Sequence, residues 1–456
     1  MNIIIVGDGK VGYTLAQFLS KDGHDITIID KNAEALSRAS ETLDVMCVRG
    51  NGANVRTLIE AGIESADIII SVTGNDELNM VCCLAAKQLG AKYSIARIRD
   101  PEYTESLTML QKKLDIDQVI NPERATAQEI SRLLRFPFAS NIESFAKGQV
   151  EMVEFRAQAQ DVIVGWPLKN LSARQPMMPR VLYAAVERGG RVIIPNGDFI
   201  IEVGDRVHVV ADMMTITDYF RFLGKNARRT RNVMLLGGGR ISYYLAKMLV
   251  PMGIHVKMIE INQPKAARLS EMLPHVDVIH GDGTDHELLS EEGLDKTDAL
   301  IALTGIDEEN IILSMYANSL NVDKVVTKVN NTRLADMLAP MGIESIISPK
   351  EIAANRIISY VRAMTNATGS NVEMLYRLAD NKVEALEFRV RESSRCIGVP
   401  LKDMPIKDDV LIGAIIRGGT CIIPGGDDVI KAHDSVIVVT TMNGLHELDK
   451  ILKEKE

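Results

Sequence analysis

The chain is punctuated by short, uninterrupted apolar runs, and between them lie longer stretches in which apolar residues recur every three or four positions. Ile- and Val-rich runs that do not alternate with polar residues suit strands buried on both faces, and the intervening periodicity suits helices that cover them. Six strands are expected at residues 2–6, 25–29, 45–48, 67–72, 94–98 and 118–120, and six more at 232–236, 255–259, 276–279, 299–303, 324–329 and 345–347. Strand and helix in alternation predict a parallel sheet for each set. After the first set the rhythm shortens to that of hairpins: residues 180–186, a Gly189-Gly190 turn, residues 192–195, then 199–203 and 206–210. The expected fold class is α/β, with two Rossmann-like doubly wound parallel sheets, each followed by a small, mostly-β α+β lobe.

The two halves are copies of one another. Ile3-Ile4-Ile5-Val6-Gly7-Asp8-Gly9-Lys10-Val11-Gly12 returns 230 residues on as Val233-Met234-Leu235-Leu236-Gly237-Gly238-Gly239-Arg240-Ile241-Ser242. Asp30 falls on Glu260, Gly50-Asn51-Gly52 on Gly281-Asp282-Gly283, and Thr73-Gly74-Asn75-Asp76-Glu77 on Thr304-Gly305-Ile306-Asp307-Glu308. The later segments match as well, Glu154-Phe155-Arg156 with Glu387-Phe388-Arg389 and Arg188-Gly189-Gly190 with Arg417-Gly418-Gly419. A register kept over such a distance marks a duplication. The expected domains are 1–138 and 229–367 for the Rossmann units and 139–228 and 368–456 for the β lobes, in the order N1-C1-N2-C2.

A strand running into G-x-G-x-x-G, with an acid downstream, is the dinucleotide fingerprint. Gly7 permits the tight turn, Gly9 lets backbone amides approach a pyrophosphate, and Gly12 allows close helix packing. The phosphate is expected at the positive helix end near Val11. Asp30 ends strand two, where a carboxylate can accept both ribose hydroxyls and repel a 2′-phosphate; that favours NAD or ATP over NADP, with Lys31 next door softening the preference. The second copy departs from the fingerprint at Ser242, carries the longer Glu260, and has Gly238 and Arg240 on the phosphate face, so its ligand could differ. Thr73 with Gly74, and Thr304 with Gly305, close strand four of each copy. Arg97 and Lys328 near the end of strand five either neutralise a phosphate or, for Arg97, pair with a neighbour such as Asp100.

With 456 residues, 46% of them hydrophobic, there is material for several cores. A formal charge of −9 argues against nucleic acid or an anionic membrane surface as the main partner. The basic cluster Lys225, Arg228, Arg229 and Arg231 is read as a solvated linker between the copies. No apolar run approaches the ~20 residues of a membrane span, and the N-terminus reads directly as strand one, as expected of a mature cytosolic chain. Cys47, Cys82, Cys83, Cys396 and Cys421 show no C-x-x-C spacing and are read as small buried hydrophobes.

A dehydrogenase needs a proton-handling group beside the nicotinamide. Of the eight histidines only His280 lies by a strand end near a crevice, and its first-copy counterpart is Arg49. No catalytic or metal-ligating constellation is visible, so the chain is expected not to be an enzyme. An NAD-dependent oxidoreductase and a stand-alone nucleotide sensor stay open as alternatives.

The duplication, the Gly7-to-Gly12 loop with Asp30, Thr73-Gly74-Asn75-Asp76-Glu77 followed by Asn79-Met80, and Ala96-Arg97-Ile98-Arg99 together resemble the regulatory subunits of bacterial Trk potassium-uptake systems, built from tandem RCK (KTN) modules. The resemblance covers the whole chain. It implies NAD(H), with ATP or ADP, bound in the Rossmann lobes, and a homotetrameric ring peripheral on the cytoplasmic face of the inner membrane under a partner of the TrkH or TrkG type. Carried over by position, the ligand contacts are Gly7, Asp8, Gly9, Lys10, Val11, Gly12, Asp30, Thr73, Gly74 and Arg97. In the second copy they are Gly237, Gly238, Gly239, Arg240, Ile241, Glu260, Thr304, Gly305 and Lys328.

Overall fold

The computed structural model of the protein describes residues 1–103, 106–136, 138–225, 230–331, 338, 341–367, 372–378, 383–442, 445 and 447–453. The first Rossmann unit contains strands β1 (Asn2–Val6), β2 (Asp25–Asp30), β3 (Met46–Arg49), β4 (Ile68–Ser71), β5 (Tyr93–Arg97) and β6 (Gln118–Ile120). They pair in the order 3-2-1-4-5-6, and the pairings are parallel throughout. Helices α1 (Lys10–Lys21), α2 (Ala33–Thr42), α3 (Val55–Glu60), α4 (Asp76–Gln88), α5 (Leu107–Lys113) and α6 (Pro122–Leu133) connect and follow the strands. Ile3, Ile4, Ile5 and Val6 are all buried, which explains why β1 is apolar at every position; each such side chain removed from water contributes about 1.5 to 3 kcal/mol.

The first β lobe holds β7 (Ala139–Phe145), β8 (Val150–Arg156), α7 (Leu168–Arg174), β9 (Leu182–Arg188), β10 (Arg191–Ile193), β11 (Arg206–Ala211) and α8 (Met213–Phe222). The second Rossmann unit follows with β12 (Asn232–Leu236), α9 (Arg240–Leu249), β13 (His255–Glu260), α10 (Gln263–Met272), β14 (Asp277–His280) and α11 (His286–Glu291). It continues through β15 (Ala299–Ala302), α12 (Asp307–Ser319), β16 (Lys324–Lys328), β17 (Ser345–Ile347) and α13 (Pro349–Ala367), with sheet order 14-13-12-15-16-17. The second lobe has β18 (Val372–Leu378), β19 (Val383–Arg389), β20 (Val410–Arg417), β21 (Thr420–Ile422) and β22 (Ser435–Thr440). Both lobes use one antiparallel topology, 10-9-11-8-7 and 18-19-22-20-21, which is the same order read from opposite ends.

By its contacts the chain forms two compact units. One comprises residues 1–131 with 231–358, and the other 132–230 with 359–456. In the first unit the two Rossmann copies touch: the Tyr244 hydroxyl donates to the Arg99 carbonyl at 3.0 Å and lies 3.0 Å from Asn121 Nδ2. In the second unit the lobes share an apolar cluster that includes Phe145, Val150 and Met152 of one and Val383, Ala385 and Ile437 of the other. Each lobe also carries a bidentate bridge from its hairpin to the acid before its last strand, Arg188 to Asp205 at 2.8 and 2.7 Å and Arg417 to Asp434 at 3.0 and 2.8 Å.

The expected Rossmann strands stand within two residues of those observed. Residues 199–203 differ: they form no sheet strand and make only isolated bridges, Ile200 to Pro167 and Ile201 to Val164. The Arg188 guanidinium takes the Ile200 carbonyl at 2.7 Å, supplying a partner that a neighbouring strand would otherwise provide. The β7–β8 hairpin is unanticipated, because its reversal at residues 146–148 lacks a two-residue glycine signal and places Ala146 at φ 49°. Lys225, read as part of a solvated linker, is half-buried instead, with Nζ 3.0 Å from Asp161; Arg228 and Arg229 lie outside the described residues. So do the first residues on one or both sides of the domain boundaries expected at 228/229 and 367/368. Cys82, Cys83 and Cys396 are buried and Cys47 and Cys421 half-buried. Among the described residues no helix is long and apolar enough to cross a membrane.

Candidate functional site

The first crevice opens at the carboxyl ends of β1 and β4, where the strand order reverses, the switch point at which open α/β sheets bind ligands. Gly7 turns out of β1 at φ 104°, and a Cβ there would press on the Thr73 backbone at 3.1 Å. A Cβ on Gly12 would fall 1.8 Å from the Gly7 carbonyl oxygen, so α1 can pass under the turn only with glycine at that position. Asp30 closes β2: one carboxylate oxygen accepts from the Asp8 amide at 2.6 Å, the other from the Asn32 amide at 2.8 Å. Each oxygen keeps a further lone pair for a ribose hydroxyl.

These elements surround a cavity of about 410 Å³. Gly7, Gly9, Lys10, Val11, Asp30, Thr73, Gly74 and Arg97 line it, joined by Lys31, by Gly50, Asn51 and Gly52, and by Leu78. Of the expected first-site residues, Asp8 and Gly12 do not line it. Gly12 sits beneath the turn, and the Asp8 carboxylate is buried with neither oxygen hydrogen-bonded. Burial raises the Asp8 acid to about 6; Arg38 opposes that shift and the Asp30 charge adds to it.

Arg97 forms no direct ion pair among the described residues. Its guanidinium donates to the Thr73 carbonyl, its Nε has no partner, and burial together with the nearby Arg99 charge lowers it to about 10, opposed by the Glu123 and Asp76 carboxylates, so that it is still charged at neutral pH. The alternative pairing with Asp100 does not form. Asp100 instead meets Arg240 of the second copy at 3.1 Å, and Asp76 takes Arg99 at 3.4 Å.

Asn79 organises the crevice. Fully buried, it accepts at Oδ1 from the Thr73 amide (2.8 Å), the Thr73 hydroxyl (2.7 Å) and the Ser71 hydroxyl (3.1 Å), and donates at Nδ2 to the Arg97 carbonyl (2.8 Å). One side chain thereby sets the ends of β4 and β5 against each other. Asn310 does the same for Thr304 and Lys328. Asn79 carries no role in the fingerprint itself; its recurrence as Asn310, 231 residues on, is the sequence signal that points to one. The Gly50-to-Gly52 turn, recognisable in the sequence only as a repeat, forms a wall of the cavity.

The second crevice repeats the plan with altered chemistry. Gly237 turns at φ 95°, and the hydroxyl of buried Ser242 donates to the Gly237 carbonyl, filling the place that must stay empty beside Gly12. Glu260 accepts from the Gly238 and Asn262 amides, both at 2.9 Å, and also from Lys265 Nζ at 2.6 Å. Burial would raise its pKa, but Lys265 and the two amides outweigh burial and hold it below the usual carboxylate range. Gly239 precedes α9, Ile241 is buried, and Arg240 points to Asp100 of the other copy. Lys328 donates to the carbonyls of Leu303 and Thr304, beside exposed Gly305; burial lowers its pKa, opposed by Asp307 and reinforced by Lys10 of the first copy. His280 lies at the end of β14 with Nε2 3.2 Å from the Ile261 carbonyl oxygen. Among the described residues no group of three or more His, Cys, Asp or Glu is placed to hold a metal ion.

Residues 3–122 and 233–349 match the TrkA-N domain family, and residues 152–224 and 385–453 the TrkA-C domain family. A Trk system potassium uptake protein TrkA homolog of Archaeoglobus fulgidus is 34% identical, covering 99% of this chain and 100% of its own. The Trk system potassium uptake protein TrkA of Vibrio alginolyticus is 36% identical over 96% of this chain and 95% of its own. A solved structure titled GsuK channel bound to NAD shares the fold, with a TM-score of 0.62 at 17% identity over 97% of this chain and 77% of that one. These relatives are named as transport proteins rather than enzymes. With two copies each of the TrkA-N and TrkA-C domains, in alternation and over nearly its full length, the chain belongs to the TrkA family of Trk-system potassium uptake proteins.

Proposed function

We propose that this protein is the nucleotide-sensing regulatory subunit of a Trk-type potassium-uptake system, with NAD(H) in the first crevice and a second nucleotide, ATP or ADP among the candidates, in the other. The observation that carries the reading is the pairing of ends in one cavity: Asp30 offers two free acceptor positions to a ribose diol, and Arg97 offers a charge with no carboxylate bound to it. Between them the amides at the start of α1 face the space a pyrophosphate would occupy. When bound, such a nucleotide supplies charge and bridging contacts rather than chemistry: Asp30 orients the ribose, the Gly7-to-Val11 backbone seats the phosphates, and Arg97 with Lys10 balances their charge.

Two nucleotides that favour different arrangements of one assembly shift its population by no more than their difference in binding free energy. The assembly proposed is a homotetrameric ring, peripheral on the cytoplasmic face of the inner membrane and docked on an integral potassium transporter of the TrkH or TrkG type. Titration calorimetry of the full chain with NADH, ATP and ADP, in wild type and in Asp30→Ala and Glu260→Ala, tests the sensor reading. Two sites per chain, each removed by one variant, is the expected result; no nucleotide binding at either site would end it. Co-purification from membranes with the transporter, and equal or unequal transport under saturating ATP and ADP, tests the partner and the switch.

A further inference from the structure

Two carboxyl groups meet at the ribose end of the first crevice, and only one of them is provided with partners. Asp30 accepts from the Asp8 amide at 2.6 Å on one oxygen and from the Asn32 amide at 2.8 Å on the other. The side chain of Asp8 itself is 3% exposed, and neither of its oxygens has a hydrogen-bond partner. A buried carboxylate is ordinarily paired or hydrogen-bonded, because each unmet acceptor keeps its desolvation cost. This one stands two residues before the start of α1, with the Asp30 charge acting on it.

The duplication shows that the place is built for that side chain. In the second copy the matching residue is Gly238, where a Cβ would lie 2.5 Å from Leu269 and 2.9 Å from the Glu260 carboxylate. The first copy has Ala39 where the second has Leu269, and the smaller side chain leaves room for the Asp8 carboxylate. The titratable and charged groups that face Asp8 are Asp30 at the end of β2, Arg38 of α2 and Cys47 of β3. Exposed Arg38 lies over the Tyr13 ring, 4.9 Å from its centroid, and makes no ion pair with Asp8 among the described residues. The Cys47 thiol donates to the Leu36 carbonyl at 3.6 Å; burial and the Asp8 charge raise its pKa, so it stays neutral. Burial opposes the ionised form of Asp8, Arg38 favours it and Asp30 opposes it again, which leaves the acid at about 6 in the free chain.

A bound dinucleotide adds to one side of this balance. Its diphosphate belongs at the amides that open α1, next to Asp8 in the same loop, and brings negative charge there. Covering the crevice also takes water away from the loop, and both changes disfavour an ionised Asp8. We propose that nucleotide binding in the first crevice is coupled to uptake of a solvent proton by the Asp8 carboxylate, so that this site responds to pH as well as to its nucleotide. With Asp8 neutral, the diphosphate and ribose meet the charge of Asp30 alone. The second crevice, with Gly238 in the same place, has no group to carry the coupling. The inference rests on the nucleotide reading of the first crevice and adds its regulation.

The test is titration calorimetry of the full chain with NAD between pH 5.5 and 8, in wild type, Asp8→Asn and Arg38→Gln, repeated at pH 6.5 in two buffers of different ionisation enthalpy. NAD is the probe because its diphosphate does not titrate in this range, whereas a terminal phosphate does, near pH ~6. Wild-type affinity should be highest at pH 5.5 and fall by roughly five- to tenfold by pH 8, because whatever the nucleotide does to the proton's affinity the proton does to the nucleotide's. About half a proton should be taken up per NAD at pH 6.5. Asp8→Asn should bind equally well at pH 5.5 and pH 8 and take up no proton. Arg38→Gln removes the charge that favours ionisation and should move the fall in affinity to higher pH; this arm stands by itself if Asp8→Asn does not fold. A wild-type affinity that does not change with pH, a fall that persists in Asp8→Asn, or one that Arg38→Gln does not move overturns the coupling and leaves the first site standing. Absence of NAD binding to wild type at every pH overturns both readings.

Discussion

The Tyr244 hydroxyl of the second Rossmann copy donates to the Arg99 carbonyl of the first at 3.0 Å, two residues beyond the cation that lines the first crevice. Tyr244 is buried, and Asn121 Nδ2 lies 3.0 Å from the same hydroxyl oxygen. Tyr244→Phe keeps the ring packing and removes both of these polar links, which should cost about 1 to 3 kcal/mol. Urea denaturation followed by tryptophan-independent far-ultraviolet signal checks it; an unchanged midpoint would mean that the contact is idle. Asp100→Ala, which frees Arg240 from its 3.1 Å partner, should raise phosphate-ligand affinity in the second crevice while leaving Asp30-dependent binding in place.

Asn79 satisfies the Thr73 amide and the Arg97 carbonyl at once. Asn79→Ala strands both, so a loss of about 2 to 4 kcal/mol in stability is expected, together with weaker NADH binding at the first site. Asn310→Ala should spare that site and affect the second. Unchanged NADH affinity in folded Asn79→Ala protein would show that the crevice does not depend on this side chain.

Position 12 distinguishes the copies sterically. Gly12→Ser recreates the second copy's residue where a Cβ would lie 1.8 Å from a carbonyl oxygen, and the loop must shift to admit it. First-site NADH affinity should fall about tenfold or more, equivalent to ~1.4 kcal/mol. Retained affinity would mean that the turn adjusts without cost to the ligand.

Buried His208 of β11 faces Glu154 and Ala185 in register, where the second lobe has Ile437 between Glu387 and Ala414. Burial lowers the imidazole pKa from 6.5 to about 4, with Glu187 opposing and Arg206 assisting. The unfolded chain therefore takes up a proton below 6.5 that the folded lobe refuses until about 4, so stability present above 6.5 drains away across that window. His208→Ile should flatten the decline between pH 6.5 and 4 by up to about 3 kcal/mol. Identical pH profiles of the melting temperature in variant and parent would refute it.

Asp8 titrates in the opposite sense. Its folded pKa, raised to about 6 from 3.8 by burial, means that the native state holds a proton the unfolded state has lost between those values. Its contribution is full below 3.8 and is lost as pH rises through 6, so Asp8→Asn should stabilise the protein at pH 7 to 8 by at most about 3 kcal/mol and do nothing near pH 3.5. A destabilised variant at pH 8 would point to a charge that the fold requires.

The parallel sheets, the two glycine turns, the acids at Asp30 and Glu260 and the duplication were legible because each depends on local information: an apolar run, a backbone conformation that excludes side chains, a fixed spacing. Periodicity could not tell that residues 199–203 would run along a loop, because an arginine from β9 reaches across to take a carbonyl there. Nor could spacing show that Arg97 stays unpaired while Asp100 turns to Arg240, or that Lys265 reaches back to Glu260, since those choices arise between elements far apart in the chain. Local sequence carries strand, turn and capping preferences because they act over a few residues. Which charge meets which, and which carboxylate is buried without a partner, is settled when packed elements compete for the same few polar groups, and that competition exists only once the chain has folded.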